Sequence, residues 1–206
     1  MAYSINALTN DCYKGTTCLI NKFDIKDEKI LKELETTITL SKIAEYNLNP
    51  LFCTFDVSHY KAIHKFIFED IYDWAGEYRT VNMTKKGTKF ANSDDIEDLM
   101  ERSFNRLKTL NYFQNSDFEV FVNNIVEFYC TTNMIHPFRE GNGRTQRLFI
   151  SQLIDMNGYY IDFFDIDTDE LMIATIQAAN GVKDYLIEIF TKAIKKIAGE
   201  LRSPLR

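Results

Sequence analysis

Residues 136–147, HPFREGNGRTQR, concentrate side chains that can do chemistry. The run contains an imidazole, a carboxylate, a Gly-Asn-Gly turn and three guanidinium groups. A helix that only packs against a core needs none of these polar groups. The run therefore predicts a catalytic or ligand-binding site.

The turn at 141–143 and the arginines after it predict a polyphosphate site. Gly141 and Gly143 let the backbone approach a ligand closely. The turn leads into a helix, whose first N–H groups and dipole favour an anion. Arg144 and Arg147 are three positions apart, so both lie on one face of that helix and can bind phosphate oxygens. The Walker sequence GxxxxGK(S/T) is absent, so this is not a P-loop.

Glu140 and His136 add a metal ligand and a base. A carboxylate repels phosphates unless a cation lies between them, and Mg²⁺ held by one carboxylate and phosphate oxygens is the usual arrangement. His136 is the side chain of the run that titrates near neutral pH, so it is the candidate proton acceptor. Together these groups predict phosphoryl or nucleotidyl transfer.

Four nearby residues have a structural interpretation instead. His59 and His64 are expected to be hydrogen-bonded polar residues, and Phe138 a packing anchor. Arg139 is expected to be a surface or structural residue.

The chain around this run has the periodicity of helices. Helices are predicted over 26–46, from Ser58 to Gly76, after 92–93, from Ser116, over about 141–158, from Thr168 to 180–181, and over 182–197. The helix at Ser116 has Glu119 three residues later, which predicts a capping box. Residues 79–91 break the pattern and predict a short β-hairpin or flap.

These elements predict an all-α fold, a helical bundle with a short β-hairpin flap near the site. We expect one domain over 1–206, with a core at about 50–160, the flap at about 79–91, and flanking helices at both ends. Pro137 disfavours a helical conformation in the residue before it. His136 is therefore expected at the C-terminal end of a helix.

Composition narrows the class of protein. The 206 residues are 45% hydrophobic and 26% charged, with a formal net charge of −6. This charge argues against direct binding to nucleic acid or to an anionic membrane. The four cysteines form no C-x-x-C pair, and no secretory signal or bilayer-length apolar run is visible. We expect reduced thiols and a cytoplasmic protein.

Residues 136–147 resemble the Fic motif, HPFx(D/E)GNGRxxR, at every defined position. Segment 68–91 is similar to the family's lead into its target-docking flap, and segment 13–35 to the N-terminal part of stand-alone bacterial Fic proteins. The resemblance implies a helical fold and transfer of AMP from ATP to a Ser, Thr or Tyr hydroxyl of a target protein. It implies that His136 deprotonates that hydroxyl, and that Glu140 holds Mg²⁺ between the α- and β-phosphates.

The resemblance also assigns the phosphate contacts. Asn142 and the backbone amides of Gly141 and Gly143 would bind the α-phosphate. Arg144 would hold the outer phosphates, and Arg147 would hold the γ-phosphate. Pyrophosphate would then be the leaving group.

The flap would pair with an extended target segment through main-chain hydrogen bonds. The residues implied are Lys85, Lys86, Gly87, Thr88, Lys89 and Phe90.

The resemblance raises the question of regulation. Many Fic proteins are inhibited by a helix of sequence (S/T)xxxE(G/N), whose glutamate pairs with the second motif arginine, here Arg147. Residues 191–206 contain no match, and the near-matches 41–46 and 93–98 fail at the last position. We therefore expect a small separate antitoxin and a class I Fic toxin, with type II topoisomerase subunits as a possible target.

Three alternatives remain. A transferase on this fold could use another nucleotide or transfer a phosphate group, although the intact Gly-Asn-Gly-Arg run favours AMP. The chain could be a catalytically silent binding module. It could also be an exported effector, although no export domain is seen after residue 206.

Overall fold

The computed structural model describes residues 4–5, 11–51, 53–85 and 87–197 of the chain. Two parts of the sequence predictions lie outside these residues, namely Lys86 of the flap and positions 198–206 of the C-terminal tail. Within the described part, all four cysteines are free thiols. No helix there is long and apolar enough to span a bilayer.

The described chain is mostly helical, which confirms the predicted fold class. The α-helices are α1 Glu28–Leu48, α2 Val57–Phe68, α3 Ile96–Thr109, α4 Phe118–Ile135, α5 Asn142–Met156, α6 Thr168–Ala179 and α7 Asp184–Ala193. The strands are β1 Ser4–Ile5, β2 Met83–Lys85, β3 Thr88–Lys89, β4 Tyr159–Tyr160 and β5 Lys195–Lys196. Short 3₁₀ turns at Ser93–Asp95 and Asn111–Phe113 flank α3.

The core is organised around Phe149 of α5, which is fully buried. Its ring centroid lies 5.4 Å from Tyr60 of α2, 5.3 Å from Phe104 of α3 and 5.7 Å from Phe128 of α4. The first two contacts have the edge-to-face geometry that aromatic rings favour. One side chain therefore ties α5, which begins in the motif, to three other helices.

The flap is a three-stranded antiparallel sheet in the order β1-β2-β3. β2 and β3 form the predicted hairpin, with Thr84 opposite Lys89 and Lys85 opposite Thr88. Gly87 in the turn has a φ of +81°, which glycine adopts without steric cost. β1 pairs with the other edge of β2, a strand that the sequence patterns did not predict.

Two helix starts lie beside the predicted capping residues. Asp56 caps α2 instead of Ser58, and its carboxylate accepts the His59 N–H at 2.8 Å. Asp167 caps α6 instead of Thr168. In both cases a carboxylate lies one or two positions earlier and accepts the free backbone N–H groups of the first turn.

Two further predictions about helix ends are wrong. The N-cap of α4 is Asp117, and it makes no side-chain capping bond, so the capping box at Ser116 is absent. α7 ends at Ala193 rather than near residue 197, because Lys195–Lys196 form β5 and pair with β4. This small second sheet was not predicted.

Candidate active site

The run 136–147 forms the loop between α4 and α5. His136 ends α4 with a left-handed backbone (φ 49°, ψ 61°), and its N–H donates to the Thr132 carbonyl at 3.0 Å. Pro137 follows directly and cannot continue a helical hydrogen-bond ladder. The predicted position of the histidine at the helix end is confirmed.

The His136 imidazole is oriented by α4 and covered by the flap. Its Nδ1 lies 3.3 Å from the Asn133 carbonyl oxygen. Since a carbonyl only accepts, Nδ1 carries the proton and Nε2 is the basic nitrogen. Phe90 stacks on the imidazole at a centroid distance of 3.8 Å. The ring is therefore fixed in one tautomer with its basic nitrogen defined.

Burial of His136 controls its protonation. The residue is 6% exposed. Burial first, then the positive charge of Lys85 and to a lesser extent that of Arg79, lower its pKa to about 3, against an opposing effect of the hydrogen bond with the Asn133 carbonyl. The imidazole is consequently neutral at physiological pH, which is the form that can accept a proton.

The N-terminus of α5 presents unused hydrogen-bond donors. Arg144 and Thr145 both donate their N–H groups to the Gly141 carbonyl at 3.1 Å. Within the part of the chain described here, the N–H groups of Asn142 and Gly143 have no acceptor. Two free N–H groups at a helix N-terminus form an anion site.

Gly141 is required at this turn for two reasons. Its φ of +80° lies in the left-handed region, and a Cβ built there would lie 2.1 Å from Cε2 of Phe68. No side chain fits at that distance. The approach of α2 to the loop therefore depends on glycine here.

The Asn142 side chain is hydrogen-bonded within the loop. Its Nδ2 donates to the Phe138 carbonyl at 2.7 Å, and its Oδ1 accepts the Phe138 N–H at 2.8 Å. Asn142 is 5% exposed and does not line the cavity described below. Its side chain holds the loop from behind, because both polar atoms are engaged by the loop backbone.

Arg144 lies between two carboxylates. Its Nη2 donates to Glu35 at 2.6 Å and to Glu140 at 3.3 Å, and its Nη1 donates to Thr39 at 3.0 Å. Oε1 of Glu140 also accepts the Gly141 N–H at 2.9 Å. The carboxylate of Glu140 is thus held at the anion site by a backbone donor and a cation.

Arg147 has a different environment. It is half-buried, and it makes no ion pair or hydrogen bond with the described residues. Burial is the main cause that lowers its pKa, and the positive charge of Arg144 adds to this effect. A Cβ on Gly143 would lie 3.2 Å from Nη1 of Arg147, so the guanidinium packs along the loop. Arg147 offers its donors to the cavity.

These groups line one cavity of about 340 Å³. Its walls include His136, Arg144, Arg147 and Lys85, with Glu140 as the one acidic residue among the lining side chains. The cavity is therefore electropositive and suited to a polyanion. A larger groove of about 770 Å³ beside α3 and α4 contains none of these motif residues.

One wall of the cavity was missed by the sequence analysis. It consists of the α6 residues Thr168, Leu171, Met172, Thr175, Ile176 and Ala179. Their spacing of three and four puts them on one helix face, but the same spacing is typical of any core helix. This mostly apolar surface fits the flat face of an aromatic base.

Comparison with known proteins assigns the family. Residues 54–154 match the Fic/DOC family. The protein of Sinorhizobium fredii named "Probable protein adenylyltransferase y4lH" is 33% identical over 82% of this chain and 88% of its own length. The chain belongs to the Fic/DOC family.

Two further relatives extend the comparison. Protein adenylyltransferase VbhT of Bartonella schoenbuchensis is 33% identical over 86% of this chain, which spans only 38% of that relative's length. BepC of Bartonella tribocorum, a VirB-translocated effector protein solved with bound AMPPNP, superposes with a TM-score of 0.83 at 25% identity, over 92% of this chain and 98% of its own. The N-terminal Fic domain of a "Putative Cell Filamentation protein" from Bartonella quintana superposes with a TM-score of 0.82 at 28% identity, over 91% of this chain and 93% of its own. The Fic fold of this chain is thereby shown.

His64 of α2 positions the loop 136–141 between α4 and α5, which we call the Fic loop. Its Nδ1 accepts the Gly76 N–H at 2.8 Å, so Nε2 carries the proton and donates to the Glu140 carbonyl at 3.0 Å. Burial lowers its pKa to about 3. The predicted role as a hydrogen-bonded polar residue is correct. Its link to Glu140 could not be read from the sequence, and α2 ends at Phe68, before Gly76.

Phe138 and Arg139 also have the structural roles that were predicted. Phe138 is fully buried and stacks on His64 at 3.8 Å. Arg139 is 7% exposed, and its Nε donates to Asp11 at 2.5 Å. Neither residue lines the cavity, and both hold the Fic loop in the fold.

Arg79, which no sequence pattern distinguishes, fastens the flap to the loop that begins at His136. Its Nε donates to the His136 carbonyl at 2.7 Å, and its Nη atoms donate to the carbonyls of Val81, Ala91 and Ile135 at 2.5 to 3.2 Å. The residue is 4% exposed. One guanidinium thus joins both ends of the flap to the C-terminus of α4, where a cation is favourable.

The flap residues fall on two sides of the hairpin. Lys85, Thr88 and Phe90 line the cavity, whereas Lys89 lines the larger groove together with Phe90. Gly87 forms the turn. Among the described strands β3 pairs only with β2, so its outer edge faces no neighbouring strand.

Proposed function

We propose that the protein transfers AMP from ATP to a Ser, Thr or Tyr hydroxyl of a target protein. One observation carries this proposal: the neutral base His136 lines the same electropositive cavity as Gly143, whose N–H group at the start of α5 has no acceptor among the described residues. A base beside an anion site is what attack on a phosphorus atom requires. Relatives named protein adenylyltransferases support the choice of group transferred.

His136 would act on the target hydroxyl. Nε2 accepts the hydroxyl proton as the oxygen attacks the α-phosphorus of ATP. The new bond joins the target oxygen to that phosphorus, while the bond from the α-phosphorus to the bridging oxygen breaks. Pyrophosphate leaves with the electron pair. The N–H groups of Asn142 and Gly143 donate to the α-phosphate oxygens, where negative charge accumulates.

The two motif arginines would hold the outer phosphates. Arg144 already points into the cavity between Glu35 and Glu140, and it retains donors that these carboxylates do not use. Arg147 has no acidic partner among the described residues and is available for the γ-phosphate. Such contacts fix the leaving group in line with the incoming oxygen.

Glu140 fits a role in holding Mg²⁺. No cluster of His, Cys, Asp and Glu within the described residues could hold a metal without further ligands. Mg²⁺ is instead commonly held by one carboxylate together with the phosphate oxygens of a ligand. Glu140 supplies such a carboxylate at the electropositive cavity. When bound, Mg²⁺ would neutralise charge on the phosphates.

The flap would dock the target. The outer edge of β3 offers main-chain donors and acceptors to an extended segment, as in strand addition. A segment paired there would pass Phe90, which touches His136. Main-chain hydrogen bonds depend little on the side chains of the bound segment. The choice of target protein must therefore depend on contacts outside the flap. Type II topoisomerase subunits are candidate targets.

Isotope labelling tests the reaction. The protein is incubated with Mg²⁺, a bacterial lysate or purified type II topoisomerase subunits, and ATP labelled at either the α- or the γ-phosphate. We expect α-label on a target band, and no label with His136→Ala. Label transferred from the γ-phosphate would show that the protein phosphorylates its target and does not transfer AMP. Equal labelling by wild type and His136→Ala would show that His136 is not the base of the reaction.

The proposed regulation is inhibition by a separate antitoxin in the cytoplasm. The glutamates of the two near-matches, Glu45 and Glu97, are both exposed and make no ion pair with Arg147. An external glutamate on an (S/T)xxxE(G/N) helix would pair with Arg147 and displace the γ-phosphate, as a toxin–antitoxin pair requires.

A synthetic helical peptide with that sequence tests the regulation. We expect it to block α-label transfer and to bind wild type more tightly than Arg147→Gln by calorimetry. The same peptide with glutamine in place of glutamate is the control. Equal binding of both peptides would contradict pairing with Arg147.

A further inference from the structure

Glu35 reaches the Fic motif from α1, 109 positions before Arg144 in the chain. Its Oε1 accepts from Nη2 of Arg144 at 2.6 Å, and its Oε2 accepts the Tyr72 hydroxyl at 2.5 Å. Glu35 is 8% exposed. Both carboxylate oxygens are therefore engaged, which fixes the side chain in one position.

The surroundings of Arg144 extend this restraint. Thr39 lies one turn after Glu35 on the same face of α1 and accepts from Nη1 of Arg144 at 3.0 Å. The ring of Phe68 lies 4.7 Å from Cζ of the guanidinium. Two acceptors on one rigid helix and one aromatic ring define the position and plane of the guanidinium.

The bond from Arg144 to Glu140 is of a different kind. At 3.3 Å it is longer than the 2.6 Å bond to Glu35, and Glu140 is the proposed ligand of Mg²⁺. Once Glu140 turns to a cation, Glu35 and Thr39 still hold Arg144. An arginine has five N–H donors, so its Nε–H and further Nη hydrogens remain for phosphate oxygens.

We propose that Glu35 is a positioning residue, which orients Arg144 toward the outer phosphates of a nucleoside triphosphate. This inference rests on the proposed nucleotide-dependent function. It assigns a role in the site to α1, which lies outside the segment 54–154 that matches the family. A carboxylate near phosphates also repels them, so orientation of Arg144 and repulsion of the ligand predict changes of opposite sign in the affinity for ATP when Glu35 is neutralised.

Nucleotide binding measured by calorimetry tests the proposal. With Glu35→Gln we expect the affinity for ATP to fall about 10- to 100-fold, as when a charge-assisted hydrogen bond that orients a ligand contact is lost. The affinity for AMP, which lacks the outer phosphates, should stay unchanged. Glu33→Gln is the matched control, since Glu33 is an exposed glutamate of the same helix.

A double-mutant cycle shows whether Glu35 acts through Arg144. Glu35→Gln should cause no further loss of ATP affinity in an Arg144→Gln background, whereas independent effects would add. Tyr72→Phe, which leaves Glu35 in place but frees its Oε2, should weaken ATP binding in the same direction by less. Thermal unfolding of each variant confirms that it is folded.

The outcomes are separable from those of the proposed function. If wild type binds ATP and Glu35→Gln binds it equally or more tightly, the inference is overturned while the proposed function stands. If ATP and AMP lose affinity equally, Glu35 is merely structural and the inference also fails. If wild type does not bind ATP, the proposed function falls, and the inference with it.

Discussion

The ring of Phe90 lies on the imidazole of His136, with centroids 3.8 Å apart and planes 6° from parallel. Phe90 directly follows β3, and the next residue, Ala91, donates its N–H to the Met134 carbonyl at 3.0 Å. The proposed docking strand and the proposed base are thus in direct contact. A displacement of the flap that removes Phe90 from this position would expose the imidazole.

Removing this cover should change the pH dependence of the reaction. Because the pKa of His136 is lowered to about 3, chiefly by burial, the wild-type imidazole stays neutral as the pH falls. We expect label transfer at pH 5 to be limited by groups other than His136. In Phe90→Ala the imidazole is exposed, its pKa rises, and the loss of activity in acid begins at higher pH.

The measurement is a pH–rate profile of α-label transfer. We also expect the rate at pH 7.5 to fall roughly tenfold, because the base is no longer held in one orientation. Phe164→Ala, at a side chain that is 77% exposed, is the control. Identical profiles for Phe90→Ala and wild type would show that the stacking does not set the protonation of His136.

The two buried histidines of the site should be neutral and opposite in tautomer. The contacts put the proton on Nδ1 of His136 and on Nε2 of His64. Nitrogen-15 chemical shifts in two-dimensional NMR spectra distinguish these forms. We expect neither ring to titrate between pH 8 and about 5, since burial lowers both pKa values to about 3.

The lowered pKa values of His136 and His64 also make the free energy of unfolding depend on pH. In the unfolded chain both imidazoles take up a proton near the ordinary pKa of 6.5, whereas in the folded chain they do so only near 3. Their contribution to the free energy of unfolding is therefore complete above pH 6.5 and is lost as the pH falls towards 3. Titration of either folded ring near pH 6.5 would contradict both expectations.

The sequence predicted those parts of the site that depend on residues close in the chain. The position of His136 follows from Pro137, and the turn into α5 follows from its glycines. Contacts between distant segments were not predictable. Glu35 and Arg79 are ordinary charged residues of a helix and a loop until folding brings them to Arg144 and His136.

Asn142 shows that some contacts between residues close in the chain are also not predictable from the sequence. The resemblance implies a phosphate contact for Asn142, which stays a prediction for its backbone N–H, while the loop backbone at Phe138 engages both polar atoms of its side chain. A spacing of four residues within a tight loop allows this closure, and no pattern of residue types distinguishes it from a ligand contact. The predicted N-caps Ser58 and Thr168 were wrong for a similar reason. The nearby carboxylates of Asp56 and Asp167 accept the same N–H groups.

Gly141→Ala should be far more damaging than alanine at another left-handed glycine. A new Cβ would lie 2.1 Å from Cε2 of Phe68, whereas at Gly158, also with φ of +80°, nothing lies within 4 Å. We expect Gly158→Ala to cost about 1–2 kcal/mol from backbone strain alone. Gly141→Ala should cost roughly 1–3 kcal/mol more, because of overpacking.

Urea unfolding of the two variants measures this difference directly. Both glycines have a φ of +80°, so the contrast between the two variants reports chiefly on the contact with Phe68. Gly141→Ala should also abolish label transfer, because the loop moves away from α2. Equal free energies of unfolding would show that the loop shifts at no cost, and that the close packing of Gly141 on Phe68 is dispensable.

Arg79→Lys should loosen the flap and leave the nucleotide site intact. The guanidinium serves four carbonyls from two elements, and a lysine ammonium cannot reproduce that planar geometry. We expect a loss of roughly 2–4 kcal/mol in the free energy of unfolding, because buried carbonyls lose their donors. Arg102→Lys is the control, since its pair with Asp98 is exposed and contributes little.

Hydrogen exchange locates the effect of that substitution. Arg79 joins Val81 and Ala91 at the two ends of the flap to the carbonyl of His136, so amide protection should fall over residues 81–91 and at the end of α4. The KM for the target should rise while the affinity for ATP is retained, because the N-terminus of α5 is not attached to Arg79. Uniform loss of protection, or equal loss of ATP affinity, would mean that Arg79 supports the whole fold. In that case it would not couple the docking strand to the base.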